Sequence, residues 1–146
     1  MDNCYLKHIT LTNAWGPIGK VNGFLILLTD VIVGEMGCPY VVHCAYQASG
    51  HSAKSQHYLG NAQDGHFVTD ISFREQVHRV MTILDGLNVS DRVGVGIYPD
   101  WKILATGEPC PGFHIDVRGT KARWGRINDE YVGWLQALKY IEKKGL

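Results

Sequence analysis

The segment Ser55-Gln56-His57-Tyr58-Leu59-Gly60-Asn61-Ala62-Gln63-Asp64 sets an imidazole and a carboxylate seven residues apart, with Gly60 and Ala62 between them. Small residues there let the chain turn closely enough for His57 and Asp64 to converge. Further on, Gly112 to Arg118 alternates: Phe113, Ile115 and Val117 on one strand face, His114, Asp116 and Arg118 on the other. Two neutral imidazoles and one carboxylate are a usual ligand set for catalytic zinc, with the fourth tetrahedral position left to water. The metal lowers the pKa of that water to about 7, so hydroxide is at hand at neutral pH. The plainer alternatives are a solvated polar face for His114-Asp116-Arg118 and a metal-free loop hydrogen bond between His57 and Asp64.

The stretch Arg92 to Tyr98 puts Val93, Val95 and Ile97 on a core face and Gly94, Gly96 and Tyr98 on the other. Glycines weaken a strand interior. They are expected where something lies flat against the strand, such as a peptide beside His114.

The pattern SxHxxGxAxD, complete from Ser55 to Asp64, resembles the signature of the zinc D-Ala-D-Ala carboxypeptidases and the related L-alanyl-D-glutamate endopeptidases. That group shares its metal site and fold with the N-terminal domain of hedgehog proteins. One branch continues with a Gly-rich strand ending in Tyr-Pro, a Phe-x-His-x-Asp-x-Arg-like strand and an Arg-Trp-Gly. Here these are Gly94-Val95-Gly96-Ile97-Tyr98-Pro99, Phe113 to Arg118, and Arg123-Trp124-Gly125, so the likeness spans roughly residues 40 to 126. It implies zinc held by His57, Asp64 and His114, with Asp116 orienting a ligand or a catalytic side chain.

Two positions depart from the pattern. Where the family carries a Gly-Tyr-Arg whose arginine holds substrate, this chain has Ala45-Tyr46-Gln47. Gln47 can donate a hydrogen bond but no charge, and Arg118 or Lys54 are the replacements on offer, neither equivalent. The family's carboxylate three residues before the last histidine ligand is replaced by Pro111. Glu108, in a loop stiffened by Pro109 and Pro111, is the expected general base, with Asp116 the other candidate. His8 and His78 read as peripheral, and His43 as core or site-facing. His51 and His66 read as solvated loop residues or donors to substrate. Cys44 and Cys110 leave open a thiolate-containing site.

These groups need a scaffold. The 146 residues, 45% apolar and 19% charged, suffice for one domain, expected over 1–146. Fourteen basic and fourteen acidic side chains give no cationic field for nucleic acid or for an anionic membrane. The most apolar run, Gly23 to Val33, is about half of the ~20 residues a membrane span needs and carries Asp30. The four cysteines form no CxxC pair and no export signal opens the chain, so reduced thiols are expected, a Cys38–Cys44 bridge being the alternative.

Three helices are expected. The first runs from Pro17 to Met36, with Val21, Phe24, Leu25, Leu28, Val31 and Ile32 inward. The second follows a Ser72/Glu75 capping box and ends at Gly86, with Phe73, Val77, Val80, Met81 and Leu84 inward. The third spans Asn128 to Lys144, with Tyr131, Trp134, Leu135, Leu138 and Ile141 inward. Strands are expected at Tyr40–Tyr46, Arg92–Tyr98 and Gly112–Arg118. The fold class is α+β, a small, mainly antiparallel sheet with helices packed on it, and the resemblance implies that it is hedgehog-like.

The resemblance implies a zinc metallopeptidase that hydrolyses peptidoglycan stem peptides, of D-Ala-D-Ala carboxypeptidase or L-Ala-D-Glu endopeptidase type, phage- or prophage-encoded. Such an enzyme would be cytoplasmic at synthesis and reach the wall by lysis or a route without a signal. The other reading is a zinc-stabilised binding or structural domain of that fold with hydrolysis lost.

Overall fold

The computed structural model describes residues 5–146; Cys4 lies outside them. Six strands form one sheet: β1 (Tyr40–Cys44), β2 (Ala62–Phe67), β3 (Gly94–Tyr98), β4 (Gly112–Asp116), β5 (Ala122–Ile127) and β6 (Glu130–Gly133). Their spatial order is β1-β2-β4-β3-β5-β6, antiparallel at every pairing except β3 with β5. Helices α1 (Gly23–Met36), α2 (Phe73–Gly86) and α3 (Trp134–Lys144) pack together on one face. The class is α+β.

The core follows from alternation. Phe67, Val95, Ile97, Phe113, Ile115 and Ile127 meet Ile32, Val80, Leu84 and Ile141 of the three helices, and all are buried. Gly125 belongs to this face because a Cβ there would stand 2.3 Å from the Cβ of Ala137 in α3. A second small cluster gathers Trp15, Leu25, Ile26 and Ala45 beside it. Among the described residues no helix is long and apolar enough to cross a membrane.

The first helix begins at Gly23, not Pro17. Asn22 caps it, its side-chain oxygen accepting the Phe24 N–H at 2.9 Å, and Ile18–Lys20 forms a separate 3-10 turn. Its inward face is Leu25, Ile26, Leu28, Ile32, Val33 and Met36, while Phe24 and Val31 are exposed. Asp30, buried on this helix, accepts the backbone N–H groups of Lys7, His8 and Ile9 and so ties the N-terminal segment down.

In α2, Ser72 accepts the Glu75 N–H at 3.2 Å, but the Glu75 carboxylate turns to Arg79 at 2.8 Å, so only half of the capping box forms. Met81 is partly buried, and the other four expected inward residues are fully so.

The third helix begins at Trp134, because Asn128 and Asp129 both take positive φ (51° and 64°) and make a two-residue hairpin turn between β5 and β6. Tyr131 therefore sits on a strand, 67% exposed, and Leu135 is 72% exposed; Ala137 and Ile141 are the helix's buried residues. The other expected strands shorten to Tyr40–Cys44, Gly94–Tyr98 and Gly112–Asp116.

Candidate metal centre

The sheet face away from the helices carries the polar site. One register row crosses it: Cys44 opposite Asp64, Asp64 opposite His114, His114 opposite Gly96, Gly96 opposite Trp124. Paired residues on adjacent strands point to the same side, so Asp64 and His114 meet by register rather than by loop flexibility. The strand that carries Asp64, β2, was not among the strands expected.

His57 arrives from outside the sheet, on the 3-10 turn Gln56–Leu59. Ser55 caps that turn, its hydroxyl accepting the His57 N–H at 3.2 Å, and Gly60 closes it with φ 69°. A Cβ at Gly60 would stand 1.8 Å from the Lys20 carbonyl oxygen, so glycine is required on two counts. The Ser and Gly of the SxHxxG pattern thus position the histidine.

The ring of His57 is 2% exposed, and its Nδ1 lies 2.6 Å from the Ala45 carbonyl oxygen. A carbonyl only accepts, so Nδ1 carries the proton and Nε2 presents a bare lone pair. That lone pair is buried with no hydrogen-bond partner and faces Asp64 Oδ2 at 3.2 Å, another acceptor. His114 Nδ1 stands 2.8 Å from Asp64 Oδ1. Ligand atoms of His57, Asp64 and His114 all lie within 4.8 Å of one another. Two facing lone pairs in a buried site call for a cation between them. The donor set fits a metal ion, and the three residues are positioned to hold one.

Behind His114 stands a buried relay. Its Nε2 meets Asp116 Oδ2 at 2.9 Å, and Asp116, 0% exposed, accepts a two-pronged guanidinium: Arg118 Nε to Oδ1 at 2.7 Å and Nη2 to Oδ2 at 2.6 Å. A carboxylate on the far nitrogen fixes the ring's orientation and makes the near nitrogen more basic. Without metal, burial opposes a charge on His114, but hydrogen bonds to Asp116 and Asp64 and their charges outweigh it and push its pKa up to about 9. Burial would raise Asp64 and Asp116; their hydrogen bonds outweigh it and hold both well below the usual carboxylate range, Asp64 chiefly through His114, Asp116 through Arg118 and His114.

Gly94 and Gly96 serve the protein itself. A Cβ at Gly94 would come 2.3 Å from Asp116 Oδ2, and one at Gly96 would come 2.7 Å from the Trp124 indole. The expected flat-lying peptide is therefore replaced by two of the chain's own side chains. The Trp124 ring centroid lies 5.0 Å from that of His114, and the Arg118 guanidinium lies 5.1 Å from the Trp124 ring centre.

A cavity of about 720 Å³ opens over the centre, and its walls include Lys54, Tyr98, Trp101, Arg118, Trp124 and Arg126. Arg118 does line it, but its fork is spent on Asp116. Gln47 is exposed and outside the lining; its Oε1 meets His51 Nε2 at 2.5 Å. Glu108 is also exposed and outside the lining, on a hairpin-like loop closed by the Lys102–Pro109 bridge. The two prolines therefore do not turn it into the cavity.

His51, read as a solvated loop residue or a donor to substrate, lines the cavity, stacked on His57 at 4.1 Å between centroids and 8° between planes. Nothing in its sequence context signals that stacking. His66 lies on β2 and pairs with the bulged His43 of β1 at 2.6 Å, while His43 stacks on Trp101. His78 is exposed.

Cys38, Cys44 and Cys110 are free thiols. Cys44, His51 and His57 form a second group with ligand atoms within 4.8 Å. Burial, then the charge of Asp64, pushes the Cys44 thiol up to about 12, far from a ready thiolate. The stacked rings of His51 and His57 also hold their in-plane lone pairs in two parallel planes, so no one ion lies in the plane of both.

No family model, no curated protein and no solved structure matches this chain.

Proposed function

We propose that the protein is a zinc metallopeptidase that hydrolyses peptide bonds in peptidoglycan stem peptides, built on a hedgehog-like fold. The observation that carries this reading is the orphaned Nε2 of His57 facing Asp64 beside His114. His-Asp-His suits zinc, and the SxHxxGxAxD pattern supports a peptidase of the carboxypeptidase and endopeptidase group it resembles. A zinc ion held there supplies Lewis-acid polarisation of a carbonyl and a water of lowered pKa.

The chain's own residues do the rest. Ala45 fixes the tautomer of His57, and Asp116 that of His114. Arg118 pairs with Asp116, so the carboxylate behind His114 stays ionised and fixed in place. Trp124 and Tyr98 wall the cavity and keep bulk water from one side of the centre.

A second reading is a metal-holding binding domain without turnover. It is favoured by one observation: Asp64 is the sole carboxylate among the residues lining the cavity, so no free carboxylate stands ready as a base. Metal analysis and muropeptide turnover separate the two. The peptidase reading expects about one zinc per chain and hydrolysis that disappears in His57→Ala. Bound zinc with no turnover establishes the second reading, and absence of bound metal sinks both.

A further inference from the structure

Three helices cover one face of the sheet, and their outer surfaces differ in chemistry. On α2 the exposed residues include Arg74, Arg79 and Asp85, and on α3 Lys139, Glu142 and Lys143. Both helices turn charge to water, as a half-buried helix should. On α1 the outer side instead carries Phe24, Leu27 and Val31, which are 49%, 52% and 40% exposed. At about 100° per residue, these three and the exposed Glu35 fall within roughly 80° of arc, a single stripe along the helix. Apart from Asp30, which is buried and spent on the N-terminal backbone, residues 23–34 carry no charge. A helix that is apolar on both sides is one covered on both sides. Three large apolar side chains in one exposed stripe mark a surface for a partner.

The ends of the stripe say what covers it. Its C-terminal end holds Glu35 and the negative end of the helix dipole. Its N-terminal end holds the positive end of that dipole and Lys20, exposed on the 3-10 turn just before α1. The Lys20 ammonium donates to the Tyr46 hydroxyl at 3.4 Å. Among the described residues neither Lys20 nor Glu35 has an ionic partner. A stripe that is basic at one end, apolar along its length and acidic at the other is complementary to its own reverse.

We propose that the outer face of α1 is the interface of a two-fold dimer of this chain, two copies of the helix lying antiparallel with Leu27 at the centre. A two-fold axis beside Leu27 and Leu28 sets Phe24 opposite Val31 of the second copy and Glu35 opposite its Lys20, since both pairs share that midpoint in the sequence. The same contacts are then made twice, as a two-fold interface requires. Two 14-residue helices meeting along one stripe fall at the small end of specific interfaces, below about 1,200 Å² in total, so the dimer is weak and reversible. It forms on the side of the sheet away from the metal centre and does not depend on how that centre is read.

Sedimentation velocity of the full chain, from micromolar to millimolar concentration, tests the proposal, with thermal melting of each variant as the control for folding. The average mass should climb with concentration from that of one chain toward that of two. Leu27→Lys should raise the dimer Kd by about 30-fold or more, the effect of spoiling the centre of an interface. Leu27 is half exposed, so the melting temperature of the dilute variant should hold. Glu35→Lys and Lys20→Glu should each weaken the dimer by about 5-fold, as exposed ion pairs do. The two together should restore it, because residues in contact do not act additively. A single-chain mass at every concentration overturns the proposal, and so does a dimer that survives Leu27→Lys. Single charge variants that behave like the double one overturn it as well, since the copies would then not meet in this antiparallel register. A monomer that binds vesicles of phosphatidylcholine and phosphatidylglycerol, and loses that binding in Leu27→Lys, overturns it and gives the face to a lipid surface.

Discussion

On β4, neighbouring residues live in opposite environments. Phe113 and Ile115 point into the helices and are fully packed; His114 and Asp116, between and beyond them, point to the cavity and belong to a charged relay. The helix-covered face is held by apolar burial and gains nothing from a metal. The open face holds His57, Asp64 and His114 with their ligand atoms positioned to take a metal ion, backed by the Asp116–Arg118 pair. Fold and site are separated by a single step along a strand, so a change at the site should leave the fold standing.

The largest effect is expected on the covered face. Phe113 touches Phe67 and Phe73 and is 0% exposed, so Phe113→Ala should cost about 3–5 kcal/mol of stability, measured by denaturant unfolding. His57→Ala should leave a cooperatively folded protein. Its metal affinity should fall by more than the ~10–100-fold typical of losing a group that only orients a ligand. If His57→Ala unfolds the protein as Phe113→Ala does, the two faces are not independent.

Much of the open face was legible because strand alternation and a turn with small residues are local rules. The spacing of His57, Gly60, Ala62 and Asp64, and the His114-Asp116 alternation, foretold side chains that the structure brings within 4.8 Å. Strand β2 was not legible, because Ala62 to Phe67 (AQDGHF) holds no β-branched residue and its burial comes from neighbours on both sides. The β5–β6 hairpin was hidden by an Asn128-Asp129 turn that lacks the usual glycine. In α1, residues 23–33 are apolar all round apart from the polar Thr29 and Asp30, so periodicity could not choose which side faces inward. The partners of Arg118 and of Gly94 and Gly96 are tertiary facts. A glycine reports that space is needed, not who fills it.

A second, intermediate effect follows from protons on the open face. In the metal-free protein His114 has a pKa of about 9 against an ordinary 6.5, so the folded state holds its proton more tightly than the unfolded chain does. That contribution to stability is whole below about pH 6.5 and is lost as pH rises through about 9. Asp64 and Asp116 run the other way: held below the ordinary 3.8, they stabilise above that pH and lose their contribution as pH falls. Metal-free protein should therefore melt highest between about pH 4 and 6.5. Metal must displace the His114 proton, so affinity should rise about tenfold per pH unit from about 6.5 to 9 and then level. Metal titrations at several pH values, with melting in chelator alongside, check both limbs. An affinity flat across that interval would show that His114 is not protonated in the apo site.

The smallest effect is expected where the two regions leave a residue belonging to neither. Glu108 lies on the exposed loop after β3, its N–H donating to the Thr106 hydroxyl at 3.3 Å and its carbonyl accepting from Ile103. Both contacts are made by its backbone, so Glu108→Gln keeps them and should not alter folding. A general base must come within hydrogen-bond reach, or one water, of the proton it takes, and contributes about 10²–10⁴-fold when it does. Glu108 is outside the cavity lining, so Glu108→Gln should change hydrolysis by less than about 2-fold, well under the effect of a base. Asp116→Asn is the contrast: it keeps the shape of the relay, removes the charge that holds His114, and should weaken metal affinity by ~10–100-fold, recoverable with excess metal. A hundredfold loss in Glu108→Gln with metal still bound would mean that the loop closes over the cavity when substrate is present, bringing Glu108 to the centre.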